Sequence, residues 1–262
     1  MCIRDRSFPL RLNTGRYRDQ WHTMTRTGYA PTLAQHRREA LLEIHPDDAA
    51  LYGLEDGGLA RIMTPGGASV FRVAISKSQR PGDIFVPMHW TDVMAGGGRA
   101  NLLAPQVVDP VSGQPAFKNS PARVEPVKPE WRGFLLLKDH TAPDGLLFWS
   151  RSRVKGGWLY ELAGMGPVVV DGLLPPGERL EAADRVRGMR RIAVRGEDGA
   201  LAGALFVTRS GTLPARAWIA DQLGADGEAA EWLAARPSSP APDRGAIVCV
   251  CHGVGEREVE DA

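Results

Sequence analysis

Two stretches of the chain combine residue types that suit an anionic, aromatic ligand. The first is Leu12-Asn13-Thr14-Gly15-Arg16, followed by Gln20-Trp21-His22-Thr23-Met24-Thr25-Arg26. A glycine next to a strand lets backbone amides come close to a phosphate. Arg16 offers a fork of donors to a phosphate or a ring carbonyl. Trp21 offers a flat apolar face. The plain structural alternative is a surface loop anchored by a buried tryptophan, and spacing alone does not displace it. The second stretch is Phe85-Val86-Pro87-Met88-His89-Trp90, then Asn101, Asp109-Pro110 and Phe117-Lys118-Asn119. Here His89 could donate a proton, touch a ligand or be a buried structural histidine. Lys118 could neutralise a pyrophosphate or lie along the surface with its stem on apolar neighbours. A third group, Ile247-Val248-Cys249-Val250-Cys251-His252-Gly253, holds a Cys-x-Cys pair before a helix start. It is half of a four-thiolate site, or else an incidental thiol pair, and its spacing excludes the Cys-x-x-Cys-His of haem attachment.

These residues need elements to hold them. Phe8 to Asn13 reads as a strand and Thr14 to Pro31 as a long polar loop, of the kind that is usually functional. Leu41 to Ile44 is a second strand. His45-Pro46-Asp47-Asp48 starts a short helix, with proline at its first position and acids on its positive end, stopped by Gly53. Strands follow at Leu59 to Thr64, at Phe71 to Ile75 by alternation and at Ile84 to Val86, with turns at Pro65-Gly66-Gly67 and Arg80-Pro81-Gly82-Asp83. A glycine-rich loop, Gly96-Gly97-Gly98, leads to Asn101. This is a β-rich domain with little helix, read as a barrel. The prolines of Glu125-Pro126-Val127-Lys128-Pro129 suggest a linker.

Beyond it, residues 131–236 read as a small α+β region. It has a hairpin of Arg190 to Arg195 with Ala200 to Thr208, and helices over Leu213 to Leu223 and Glu228 to Ala235. Arg185, Arg187, Arg190 and Arg191 read as a solvated face. A Pro/Ser-rich linker precedes a truncated helical element over residues 246–262. Met1 to Arg6 lacks periodicity and is set aside as a sequence scar.

Bulk properties narrow the function. The chain has 262 residues, 43% hydrophobic and 24% charged, and a formal net charge of +1. That composition is ordinary for a globular protein, and the charge gives no case for nucleic acid or an anionic membrane. No apolar run reaches the roughly 20 residues of a membrane span. Three cysteines are too few for a disulfide framework and suit a reducing, cytoplasmic setting.

Neither ligand-type stretch decides alone, but their order and separation resemble the C-terminal dinucleotide-binding domain of molybdopterin oxidoreductases. The nearest likeness is to assimilatory nitrate reductases, over about Phe8 to Val127. The shared pieces are Leu12 to Arg16, Trp21 to Arg26, His45 to Ala49, Arg80-Pro81-Gly82, Pro87 to Trp90, and the run from Asn101 through Asp109-Pro110 to Lys118. The resemblance implies a double-psi β-barrel over residues 7–127. It implies that Asn13, Thr14, Gly15, Arg16, Gln20, Trp21, His22, Thr23 and Thr25 wrap a molybdenum-bearing bis(molybdopterin guanine dinucleotide). Met88 and His89 fall where the family closes over its substrate funnel, and Asn101 and Lys118 at cofactor-contacting positions.

Cys249 and Cys251 resemble the first half of the [2Fe-2S] domain related to bacterioferritin-associated ferredoxin, whose cluster is expected only in a longer parent. The implied activity is reduction of nitrate to nitrite by that parent, with an electron-donor protein or reductase subunit and the remaining domains as partners. The molybdenum-ligating residue is not in this chain, so the piece alone is expected to be inactive. Two alternatives stay open: a formate dehydrogenase-like enzyme with the same barrel, and a non-catalytic barrel that only binds.

Overall fold

The structure is a computed structural model and describes residues 7–239, 243–249 and 252–262. Six strands close a barrel. They are β1 (Leu10–Gly15), β2 (Leu41–Ile44), β3 (Leu59–Thr64), β4 (Gly67–Ile75), β5 (Asp83–Pro87) and β6 (Ser120–Val127), in the spatial order β1-β5-β2-β4-β3-β6. Two neighbouring pairs run parallel, β1 with β5 and β2 with β4, while the other neighbours are antiparallel. The expected mainly β, double-psi architecture is therefore present.

Alternation explains the interior. Leu10, Leu12 and Thr14 of β1, Ser69, Phe71 and Val73 of β4, and Ile84 and Val86 of β5 all point inward and are buried. Two short helices flank β2: α1 (Pro31–Ala34) and α2 (Pro46–Leu51). The His45 side chain caps α2 by accepting from the Asp47 N–H, and the helix ends before Gly53 at φ +64°. Asp48 has a second task beyond the helix dipole. It is buried, and its Oδ2 accepts the Gly82 N–H at 2.6 Å, fixing the turn that feeds β5.

Strand β1 begins and ends two residues later than the sequence suggests, so Gly15 closes the strand instead of following it. Glu125 to Val127 is not a linker but the end of β6, in register with Leu59 to Arg61 of β3. Residues 123–127 pair with β3 and residues 120–122 with β1, so this half of the strand is paired on one side. A one-sided strand tolerates Pro126, whose missing N–H costs no ladder bond.

The chain then enters a six-stranded antiparallel sheet. Its strands are β7 (Trp131–Leu137), β8 (Phe148–Val154), β9 (Gly157–Gly164), β10 (Glu178–Asp184), β11 (Met189–Arg195) and β12 (Leu201–Thr208), in the order β10-β11-β12-β7-β9-β8. Phe134, Leu136, Leu159 and Phe206 face the helices α3 (Ala217–Asp221) and α4 (Ala229–Ala234), in a cluster centred on Trp232. Leu135, Leu137, Tyr160 and Leu205 face the other way and share one core with the barrel. Helix α3 is shorter than the expected Leu213 to Leu223. Pro214 has no N–H to give a helix interior, and the Arg216 guanidinium pairs with Glu161 of β9 by two bonds of 2.8 Å.

The arginine-rich stretch is not simply solvated either. Arg190 is held by Asp171 at 2.6 Å and Glu181 at 2.8 Å, and Arg191 donates to the Leu233 carbonyl at 2.9 Å. The last described elements are a small pair, β13 (Ile247–Cys249) with β14 (Val254–Gly255), and α5 (Glu256–Glu260).

The barrel and the sheet are stapled together. Ala95 bridges Ser150, the Gly96 N–H donates to the Trp149 carbonyl at 3.0 Å, and the Gly98 N–H donates to Val70 O at 2.7 Å. A Cβ on Gly96 would lie 2.3 Å from the Trp149 ring. The glycine run is therefore a close-approach device, and the Gly96 and Gly98 amides are already committed. Beside it Arg72 of β4 chelates Glu39 at 2.8 and 2.9 Å and approaches Glu161 at 4.0 Å. Among the described residues no helix is long and apolar enough to cross a membrane.

Candidate cofactor-binding rim

Because β1 and β5 are parallel, both deliver their C-terminal ends to the same rim of the barrel, with Gly15 beside Pro87. Strand β6 is antiparallel to β1, with Ser120 opposite Leu12, so the residues just before β6 arrive at that rim as well. The barrel topology thus gathers three segments separated by as much as 106 positions in the chain.

At the junction of β1 with the segment before β6, Asn13 Oδ1 accepts the Asn119 N–H at 3.1 Å, and Thr14 Oγ1 donates to the Phe117 carbonyl at 2.9 Å. The Lys118 ammonium donates to the Thr14 carbonyl. Asn119 takes a left-handed conformation, φ +57°, which asparagine tolerates better than most residues. Gly15 lies flat against Phe85, whose ring would be 2.8 Å from an added Cβ. Asn101 is exposed on a one-turn helix (Ala100–Leu103) whose Ala100 and Leu103 line a gap shared with Thr14 and Phe117.

At the junction of β1 with β5, the Met88 N–H donates to the Gly15 carbonyl at 3.0 Å and carries the pairing one step past the strands. His89 is fully buried. Its Nε2 accepts the Tyr17 N–H at 2.8 Å, and its Nδ1 lies 2.8 Å from the His22 carbonyl. Burial pushes the His89 pKa below the usual histidine range, and repulsion from His22 and Arg16 adds to this against the backbone bonds.

The loop between those two anchors presents its chemistry outward. Trp21 is 59% exposed, so it is not the buried anchor of the plain reading, and it meets His22 edge-on at 6.3 Å between ring centres. Gln20 turns inward, accepting from the Thr27 hydroxyl at 2.7 Å, and that same hydroxyl accepts the Trp21 N–H at 3.1 Å. Thr23 and Thr25 are exposed and line a cleft of about 390 Å³ with Tyr29, Thr91, Asp92 and Val93.

Electrostatics favour an anion here. Residues 16–37 carry four arginines, Arg16, Arg18, Arg26 and Arg37, against one acid, Asp19, while Arg38 turns toward Glu161 and Asp221. Asp19 is taken by Arg18 at 2.9 Å and His36 at 2.7 Å, which hold its pKa below the usual carboxylate range. Arg37 sits 5.6 Å over the Tyr17 ring. Among the described residues Arg16 and Arg26 make no ion pair. Exposed guanidinium groups, a lysine and an open indole face on one rim are the donor set that a phosphate-linked, ring-bearing cofactor needs.

Several contributors escape sequence reading. Tyr17 lies beneath the loop with its hydroxyl buried, and Thr91 and Asp92 directly follow the Pro87 to Trp90 motif. Proximity to that motif is the signal that could have found the latter two. Cys249 ends β13, half-buried, while Cys251, like Cys2, lies outside the described residues. Among the described residues no three His, Cys, Asp or Glu side chains gather into a metal site.

A closed barrel with two parallel pairs carries exposed guanidinium groups and an open indole face on one rim, chemistry suited to an anionic, ring-bearing ligand. Residues 10–121 match the molydopterin dinucleotide binding domain family. The chain is 36% identical to a nitrate reductase of Klebsiella oxytoca over 265 residues, covering 98% of this chain and 30% of that protein. It is 35% identical over 120 residues to the assimilatory nitrate reductase catalytic subunit of Bacillus subtilis, covering 46% of this chain and 16% of that protein. It is 30% identical over 123 residues to formate dehydrogenase 1 subunit alpha of Methanococcus maripaludis, covering 47% of this chain and 18% of that protein. The chain therefore spans less than a third of the length of these oxidoreductases.

Proposed function

We propose that this chain is the C-terminal cofactor-holding part of a molybdenum-dependent nitrate reductase of the assimilatory, cytoplasmic type. The observation that carries this reading is the likeness to the Klebsiella oxytoca nitrate reductase, which runs through the sheet as well as the barrel. Likeness to the formate dehydrogenase covers 47% of the chain, about the length of the barrel, and supports the broader oxidoreductase class.

The residues on the rim suit a phosphate-linked, ring-bearing cofactor, which we assign as the guanine dinucleotide form. Arg16, Arg26 and Lys118 would meet its phosphates, Trp21 would offer a face to a ring, and Asn13, Thr14 and Asn101 would supply neutral polar contacts. When bound, the molybdenum group supplies the oxygen-transfer and two-electron chemistry. This chain's own contribution is to bind, orient and exclude water. Nitrate is the substrate of the whole protein, electrons come from a donor protein or reductase subunit, and the isolated piece is inactive because the metal-ligating residue lies elsewhere. Cys249 and Cys251 would provide half of a [2Fe-2S] site completed by later residues of the longer protein.

The test is to express the complete protein in a host that makes the cofactor, purify it without oxygen, and measure molybdenum, GMP released by acid, and nitrate and formate turnover with an artificial electron donor. Molybdenum, GMP and nitrate turnover together are expected. Formate turnover alone would move the protein to the sister activity. Absence of both molybdenum and GMP in a folded protein would end the cofactor reading and leave a binding barrel.

A further inference from the structure

His89 was a candidate ligand contact, but its geometry gives it a different task. The Tyr17 N–H can only donate and the His22 carbonyl can only accept, and each lies 2.8 Å from its own ring nitrogen. The two partners fix a single state of the ring, neutral, with the proton on Nδ1 and the lone pair on Nε2. A fully buried imidazole with both nitrogens engaged has nothing left to offer a ligand. It instead pins both ends of the loop that displays Trp21, and Arg16 leads into that loop. The ring is itself fixed from below, because the preceding Met88 extends the β1–β5 pairing to Gly15. Tyr17 and Trp90 pack around it, with ring centres 6.4 Å away in each case.

We infer that His89 is a positioning residue, a clasp that holds Tyr17 and His22 so that the loop between them is preformed for an anionic cofactor. The ligand half of this inference rests on the cofactor proposed above, whereas the clasp half concerns the loop alone. Loops of this length lose entropy when they close on a ligand, and preforming them raises affinity by removing that cost. Removal of the clasp acts on cofactor retention, and it leaves the barrel strands intact.

The experiment uses the complete protein, as parent, H89A and H89N, and reads two things. One is hydrogen exchange over residues 16–24 compared with residues 59–75 of β3 and β4. The other is molybdenum and GMP content after dialysis. In H89A the loop is expected to exchange about tenfold faster or more while β3 and β4 stay protected, and cofactor is lost during dialysis. H89N keeps an amide able to donate to the His22 carbonyl, so it falls between the parent and H89A. Unchanged loop protection in H89A overturns the clasp. So does equal loss of protection in β3 and β4 in both variants, which would make His89 a general core residue. If the parent itself carries neither molybdenum nor GMP, the cofactor proposal fails while the exchange comparison still judges the clasp.

Discussion

Lys118 and Thr14 are a hundred and four positions apart and are bonded to each other at the barrel rim. The lysine ammonium caps the Thr14 carbonyl while the Thr14 hydroxyl donates to Phe117 at 2.9 Å, so each residue holds the other's segment. This exchange sets where a positive charge stands beside Gly15.

Charge removal on the rim is expected to weaken cofactor retention without unfolding the barrel. Arg16 and Lys118 are exposed, and substitutions at exposed positions usually change stability by no more than about 0.5 kcal/mol. R16A alone should therefore keep the parent's melting temperature in cofactor-free protein, while adding K118A also removes the bond to the Thr14 carbonyl and should lower it modestly in the double variant. Its molybdenum content after dialysis should fall about tenfold or more, each lost charge-assisted bond being worth about 1.5–3 kcal/mol. W21A should behave in the same way, since the indole is largely exposed.

Gly15 is expected to reject any side chain. An alanine there would place its Cβ 2.8 Å from Phe85 Cε2, and overpacking of this kind typically costs about 1–3 kcal/mol. Thermal unfolding should show G15A less stable, and the double variant G15A with F85L should recover much of the loss. A G15A protein as stable as the parent would mean that Phe85 swings aside freely.

Stability should fall on the acid side through His89. Its folded pKa lies below the ordinary histidine value because burial, helped by Arg16 and His22, disfavours the imidazolium. The unfolded chain therefore binds the proton first. The stabilisation is fully present above about pH 6.5 and is lost as pH falls below that toward the folded value. Melting curves from pH 8 to 5 should show a steeper acid loss in the parent than in H89N.

The buried ion pairs between barrel and sheet should respond in the opposite sense. Burial raises the Glu39 carboxyl to about 7 despite the pull of Arg72, and Glu161 adds to the rise. Folded protein thus gains a proton there before unfolded protein does, and stability rises as pH falls from about 7 toward the usual carboxylate value near 4.3. E39Q should remove this slope from the melting curves. R72A should be less stable at pH 8, because Glu39 loses its partner and must either stay charged inside or take up a proton against the solvent. An R72A protein that melts with the parent at pH 8 would mean that the Arg72–Glu39 pair contributes nothing to stability.

The sequence by itself determined the local elements and the kinds of chemistry on offer. Alternation in Phe71, Val73 and Ile75, the proline and acids opening α2, and the turns at Gly66 and Gly82 are short-range signals, and the structure keeps each of them. The composition of Thr14 to Arg26 likewise offers arginines and a glycine of the kind that suit an anion. What local patterns could not carry was pairing. Strands β7 to β9 are buried on both faces, so they lack the alternation that marks a half-exposed strand, and Glu125 to Val127 imitates a linker because a one-sided strand can hold proline. Only the tertiary structure decided the fates of His89, Gln20 and Trp21. A histidine's role depends on what meets its two nitrogens, and here the partners come from the loop that follows another strand. Gln20 and Trp21 are neighbours in the chain that face opposite ways, one bonded inward to Thr27 and the other open to solvent. Long-range hydrogen bonds and burial fix such orientations, and neither is written in the spacing of residues along one segment.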